Sequence, residues 1–290
     1  MTRAIRIHET GGPEVLRWEE VDVGSPGDGE VRLRQTAVGL NYIDTYLRTG
    51  LYPIGTFPAI LGMEAAGVVE EVGPGVKDVR QGDRVAYSGG PVGAYAEARL
   101  FPAHRLVRLP DAVSDEQGAA MMLKGLTAHY LLRRTYRVQS GDTILIHAAA
   151  GGVGLIVCQW ASHLGATVIG TVGSEEKAEL ARAHGCDHPI LYRTENFVER
   201  VHELTAGERL PVVYDSVGRD TFQGSLECLR PRGMLVSFGQ SSGPVPPFEM
   251  RELQVKGSLF LTRPSLGHYV ATREELLENS AELFDVVEKD

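Results

Sequence analysis

The chain has 290 residues, of which 43% are hydrophobic and 34 are glycine. That length and balance exclude a disordered or fibrous chain and leave room for two domains or one large one. The 29 Lys and Arg stand against 38 Asp and Glu, a net charge of -9, which repels phosphate backbones, so no nucleic-acid partner is expected.

Met1–Glu9 alternates its apolar residues and carries no continuous apolar core before a cleavage site, so no signal peptide is expected. No run reaches the roughly 18 apolar residues of a membrane span, so no membrane partner is expected. Cys158, Cys186 and Cys228 are dispersed and odd in number, which implies a reducing compartment and no disulfide framework. A cytoplasmic location follows as an expectation.

Short apolar stretches at Val31–Val38, Ala65–Val72 and Arg84–Tyr87 are separated by turns such as Gly73-Pro74-Gly75 and Gly89-Gly90-Pro91. This spacing predicts a mostly β first domain, a small barrel. After Pro110 the pattern changes. Asp111–Thr127 reads as a helix, with a capping signature at Ser114 and Gln117. Strands are then expected at Thr143–His147, Thr167–Val172, His188–Tyr192, Val212–Val217 and Met234–Phe238, with Val255–Leu261 as the last. Helices are expected at Val153–His163, Glu175–His184, Phe197–Thr205, Thr221–Leu229 and Arg273–Val287. Regular alternation of strand and helix means a parallel sheet covered on both faces.

The most informative segment is Thr143–Gly154, where an apolar strand runs into Ala148-Ala149-Ala150-Gly151-Gly152-Val153-Gly154 and a helix follows at once. That is the context of a dinucleotide-binding turn. Gly151 lets the backbone approach a pyrophosphate, and Gly154 lets helix and strand pack closely. The amides that open the new helix face the phosphates. The first glycine of the fingerprint is replaced by Ala149.

An NAD site usually places a carboxylate at the tip of the second strand. Gly173-Ser174 occupies that place here, which permits the 2′-phosphate of NADP(H). Ser174 reads as the cap of the next helix, with Lys177 in its first turn. A cation there is opposed by the helix dipole unless a phosphate is bound. Two readings stand at this level: Lys177 as a phosphate contact, or as a solvated lysine offset by Glu175 and Glu176. Glu175 is also the residue most able to support NAD. Tyr192 lies at the tip of the third strand and closes the pocket in the first reading.

Gly62-Met63-Glu64-Ala65-Ala66-Gly67 resembles the signature of zinc alcohol dehydrogenases of the medium-chain dehydrogenase/reductase superfamily. Met63 stands where that signature has a histidine ligand, and Asn41 where it has a cysteine. Neither is a credible zinc ligand, and no metal is expected. His184 and His188 are separated by Gly185 and read as loop residues. His147 reads as a satisfied core histidine.

The run Asn41–Tyr46, Lys124-Gly125-Leu126-Thr127, the segment His147–Gly154 with Gln159, Tyr214–Gly218 and Thr262–Leu266 resemble the quinone oxidoreductase and zeta-crystallin branch of that superfamily. The resemblance covers nearly the whole chain. It implies a GroES-like β domain over 1–125, a Rossmann domain over 126–262, and the start of a return to the first domain over 263–290. It further implies NADPH in the cleft between the domains and a homodimer joined around Gly257–Leu261. By matching position, Asn41, Asp44 and Tyr46 lie on the nicotinamide side, and Thr127 and Tyr130 at the domain junction. Gly152 and Val153 hold the pyrophosphate. Gly173, Ser174, Lys177 and Tyr192 surround the adenosine phosphate. Val217, Phe238, Gly239 and Ser241 line the strand ends, and Ser265 and Leu266 return toward the cleft.

Family members continue beyond the position of Asp290 with further strands and a cofactor-contacting arginine. An end at Asp290 is expected to leave a sheet edge exposed.

The implied activity is zinc-independent reduction of a quinone by NADPH. Enone reduction and a non-catalytic, crystallin-like NADPH-binding protein are the rivals. Tyr46 and Tyr52 are the candidate proton donors, though each reads first as a wall of the cleft.

Overall fold

The computed structural model describes residues 2–288. Two compact units emerge, one comprising Met1–Leu126 with Val270–Asp290, the other Thr127–Tyr269. The first unit is built on antiparallel sheets. Strands β1 (Thr2–Ile7), β2 (Arg17–Val21) and β4 (Ala59–Ile60) form one sheet in the order β2-β1-β4. Strands β3 (Glu30–Val38), β5 (Glu64–Val72), β6 (Arg84–Ser88), β7 (Ala98–Pro102) and β8 (Val107–Arg108) form the other, ordered β7-β3-β5-β6-β8. A single bridge, Ala4 to Ala96, also ties β1 to the loop before β7. The expected β domain is thus two linked sheets.

Alternation explains the larger sheet. Val31 and Leu33 of β3 point into a core with Val69, Val85, Tyr87 and Phe101, while Arg32 and Arg34 pair with Glu70 on the other face. Helix α1 (Tyr42–Arg48) follows β3, and α2 (Asp115–His129) follows β8. At the start of α2 the Gln117 N–H donates to Ser114 Oγ at 3.1 Å and the Ser114 N–H to Gln117 Oε1 at 2.9 Å. This reciprocal cap sets the first turn at Asp115, four residues later than the pattern suggests. The helix then runs past Thr127 and continues as a π-helical stretch over Tyr130–Thr135.

In the second unit, β9 (Thr143–Ile146), α3 (Gly152–His163), β10 (Thr167–Val172), α4 (Glu175–Ala183), β11 (His188–Leu191), α5 (Phe197–Leu204), β12 (Leu210–Asp215), α6 (Phe222–Glu227) and β13 (Leu229–Ser237) alternate. With β14 (Phe260–Thr262) the sheet order is β11-β10-β9-β12-β13-β14, all parallel. Ile144, Leu145 and Ile146 of β9 and every residue of β12 are buried, as central strands covered on both faces must be.

The last strand departs from expectation. Arg251–Val255 is helix α7, and β14 is confined to Phe260–Thr262. Gly257 (φ 118°) and Ser258 (φ 55°) take left-handed backbone conformations that end one element before the next begins. Helices α8 (Leu266–Tyr269) and α9 (Arg273–Val287) follow. No helix among the described residues is long and apolar enough to cross a membrane.

Candidate functional site

Strand β9 delivers the chain to the carboxyl edge of the parallel sheet, where open α/β folds bind ligands. Ala148 there has φ 56°. Gly151 caps α3 with an extended backbone, and its N–H donates to Ala148 O at 2.8 Å. The first helical bond runs from Leu155 N to Gly151 O. The amides of Gly152 and Val153 therefore lie in the first turn, ahead of that bond, where a helix has no carbonyl to offer. Gly154 has no room for a side chain: a Cβ would strike Ala148 O and lie 2.6 Å from Ala149 O.

The structure also accounts for Ala149. Its methyl group is fully buried, and a Cβ on Gly170 of β10 would lie 2.5 Å from it. Gly170 on the neighbouring strand thus supplies the space that the fingerprint usually obtains from its own first glycine.

The other strand ends carry the remaining candidates of this unit. After β10, Ser174 caps α4 by accepting from the Lys177 N–H. Gly173 sits against Tyr192, since a Cβ there would be 2.9 Å from the Tyr192 hydroxyl, and Tyr192 itself is 52% exposed. After β12, the Val217 N–H donates to Asp215 Oδ1 at 2.8 Å. After β13, Phe238 and Gly239 donate to Asp215 O, and Ser241 to Ser216 O. Arg263 follows β14 and donates to Ser237 O at 3.0 Å and to Gly239 O at 2.7 Å, which fixes one strand end to the next. Ser265 O accepts from the His268 N–H at 3.0 Å beside Leu266, the first residue of α8. Thr127 and Tyr130 are buried on α2 and its π-helical continuation. Tyr130 stacks on Tyr269 at 4.5 Å, and burial pushes its hydroxyl above the usual tyrosine range.

Under the turn runs a buried polar network that motif reading misses. His147 Nδ1 meets Thr171 Oγ1 at 2.9 Å, and its Nε2 meets Ser225 Oγ at 2.9 Å. Ser225 Oγ donates in turn to Asp215 Oδ2 at 2.9 Å. Burial disfavours the imidazolium and lowers the His147 pKa. Asp215 and Ser225 lie 68 and more residues from His147 in sequence, and no local pattern announces them.

The first unit gathers its candidates on α1. Asn41 caps this helix, and its N–H donates to Asp44 Oδ2 at 2.9 Å. Tyr95 donates to the same oxygen at 2.7 Å. Asp44 Oδ1 is buried with no hydrogen-bond partner among the described residues. Burial raises the Asp44 pKa against these donors. Tyr46 is buried, with ring centroids 5.2 Å from Tyr42 and 5.1 Å from Tyr52.

Asn41 also leads to a second group the sequence reading left without a role. Its Nδ2 donates to Glu64 Oε2 at 2.7 Å. Glu64 is fully buried and also accepts from the Leu123 N–H at 2.7 Å and from Lys124 Nζ at 3.2 Å. Gly39 completes the packing, because a Cβ there would strike both Ala119 O and the Glu64 carboxylate. The signal available in the sequence was a glutamate placed directly before the small, apolar run Ala65–Val69.

Residues 27–111 match the family model of the alcohol dehydrogenase GroES-like domain, and residues 152–279 that of the zinc-binding dehydrogenases. A quinone oxidoreductase of Pseudomonas aeruginosa is 54% identical over 289 residues, covering 100% of this chain and 89% of that protein. The chain belongs to the quinone oxidoreductase branch of the medium-chain dehydrogenase/reductase family. Within this family, a 2-haloacrylate reductase of a Burkholderia species is 54% identical over 293 residues, covering 99% of this chain and 88% of that protein. The crystal structure of Escherichia coli quinone oxidoreductase complexed with NADPH superposes with a TM-score of 0.97 at 51% identity, covering 98% of this chain and 87% of that one.

The zinc in the second family model's name does not fit the residues present. Asn41 and Met63 offer an amide and a thioether, whereas zinc takes thiolate, imidazole or carboxylate. Among the described residues no group of three or more His, Cys, Asp or Glu is placed to hold a metal ion. No chemical step is assigned to a metal.

Proposed function

We propose that this chain is an NADPH-dependent, zinc-independent oxidoreductase that reduces quinones. The observation that carries this reading is the bend from Ala148 to Gly154, with its first-turn amides and a glycine that nothing larger can replace. The residues fit the cofactor. Gly152 and Val153 would hold the diphosphate. Gly173, Ser174, Lys177 and Tyr192 would surround the adenosine phosphate, with no carboxylate at the strand tip to repel it. Val217, Phe238, Gly239, Ser241, Ser265 and Leu266 would line the strand ends. Asn41, Asp44 and Tyr46 would serve the nicotinamide side, Thr127 and Tyr130 the junction. The orphaned Asp44 Oδ1 supports its part in this, as a buried acceptor awaiting a donor. When bound, the cofactor supplies hydride. The chain's own task is then to orient the acceptor and exclude water. Tyr46 and Tyr52 serve as walls of the acceptor site, packed ring to ring.

A second reading, reduction of an activated carbon–carbon double bond, is favoured by the 2-haloacrylate reductase relative. Steady-state oxidation of NADPH with a quinone panel and an enone panel distinguishes the two. The quinone panel is expected to give the higher kcat/KM. Silence with every acceptor would end the enzymatic reading.

We also infer a homodimer through the edge strand β14, whose Phe260 is 57% exposed. Light scattering is expected to give the mass of two chains, and Phe260→Asp the mass of one.

A further inference from the structure

Reduction of a quinone without a metal leaves one electrostatic task undone. Hydride delivery brings one proton and two electrons to a neutral quinone, the nicotinamide leaves oxidised, and the product is a hydroquinone monoanion that water later protonates. Negative charge therefore grows on an acceptor oxygen in the transition state, and a fixed donor or cation there accelerates the step. The described Rossmann turn serves a diphosphate, and the tyrosines of α1 carry no charge.

We infer that Lys124, anchored on the buried carboxylate of Glu64 beside Asn41, is the cation that stabilises the developing oxyanion of the acceptor. This rests on the quinone reductase reading above. Three observations carry it. Glu64 Oε2 accepts from both Lys124 Nζ and Asn41 Nδ2, so the ammonium and the amide proposed for the nicotinamide side converge on one oxygen. The Glu64 side chain has no exposure, while that of Lys124 retains 20%, so the pair presents only its positive member at the surface. Glu64 takes one of three ammonium N–H donors, which leaves up to two for an acceptor oxygen. The carboxylate is itself wedged in place by the Leu123 N–H and by the missing side chain of Gly39. A lysine held this way is pre-organised, and little reorganisation is needed when charge arrives.

The arrangement also explains a buried ion pair that stability alone does not require. Buried pairs are often matched or bettered by apolar residues of similar volume. A polar group kept here at that disadvantage has a use.

The test compares wild type with Lys124→Met, and with Lys124→Met combined with Glu64→Gln, which leaves no unpaired buried carboxylate if the single variant folds poorly. Turnover is measured across substituted benzoquinones of graded hydroquinone acidity, with NADPH affinity titrated separately by fluorescence. The double variant is expected to lose about a hundredfold in kcat on the most basic products, to lose progressively less as the product anion becomes more stable, and to keep its NADPH affinity. Bound 4-nitrophenol gives a readout free of turnover. In wild type its ionisation, followed by phenolate absorbance, is expected to shift to lower pH than in water, and in the double variant to return. Uniform losses across the panel, unchanged rates, or an unshifted nitrophenol in wild type would each overturn the role of Lys124. A wild type that oxidises NADPH with no quinone would instead overturn the quinone reductase reading, and this inference with it.

Discussion

The two units build their candidate sites by different means. In the second unit the bend at Ala148–Gly154 offers backbone amides, and the imidazole beneath it is held between two hydroxyls, one of which donates on to the Asp215 carboxylate. In the first unit the work falls to charges taken out of water, a carboxylate with no exposure and the ammonium that meets it. A backbone site tolerates changes of side chain wherever the chain path survives, as Ala149 in a glycine position shows. A buried ion pair tolerates almost none, because each member leaves the other stranded. The first unit should therefore be the more brittle under single substitution, and the second should fail mainly where volume is added.

Lys124→Met gives the largest expected effect. Leaving Glu64 buried and unpaired should cost about 3–5 kcal/mol of stability, read as a lowered midpoint in denaturant, with much of it restored by adding Glu64→Gln. A loss below about 1 kcal/mol would show that the pair is better hydrated than its burial implies.

Gly154→Ala probes the opposite unit. Its methyl group would collide with two carbonyl oxygens, at about 3 kcal/mol. Spent on reshaping the bend, that is roughly a hundredfold loss in NADPH affinity, measured by fluorescence titration. An unchanged affinity would mean the bend is not the diphosphate site.

Lys177→Ala should weaken NADPH by roughly tenfold and NADH little, as for one charged hydrogen bond to phosphate. Equal losses for both coenzymes would remove the phosphate contact.

The smallest effect is one of pH, and its sign separates the units. Burial lowers the His147 pKa below its unfolded value of 6.5. Its contribution is present above pH 6.5 and is lost as pH falls toward the folded value. Burial raises Asp44 and Glu64 above 3.8 and 4.5. Their contribution is present below those values and is lost as pH rises through the folded ones. Native-state hydrogen exchange at pH 5 and pH 7 should therefore show the second unit loosening in acid relative to the first. His147→Gln should flatten the difference.

Elements with a clear period were legible in the sequence. The apolar runs of β9, β10 and β12 and the small-residue bend after β9 needed only local reading. What escaped depended on distant partners. Nothing near Ala149 shows that Gly170, on another strand, makes room for its methyl group. Nothing near Glu64 shows that Lys124, 60 residues on, meets it. The strand expected from Val255 onward failed for a nearer reason: residues 257 and 258 adopt positive φ, and apolar character alone does not distinguish helix end, turn and strand. Of the candidate site residues, those at strand tips follow from fold position, while the pairing of Asn41 with Glu64 required coordinates.

The path of the chain through its two units has a consequence for biosynthesis. Helix α9 packs back on the first unit after the second is complete: Arg273 donates to His104 O and Leu106 O, and Gly125 lies against Leu283. A nascent polypeptide emerging from the ribosome would hold every segment of the Rossmann unit before helix α9 of the unit begun first. The parallel sheet is thus free to form early as a contiguous module, while the older half waits for a distant helix.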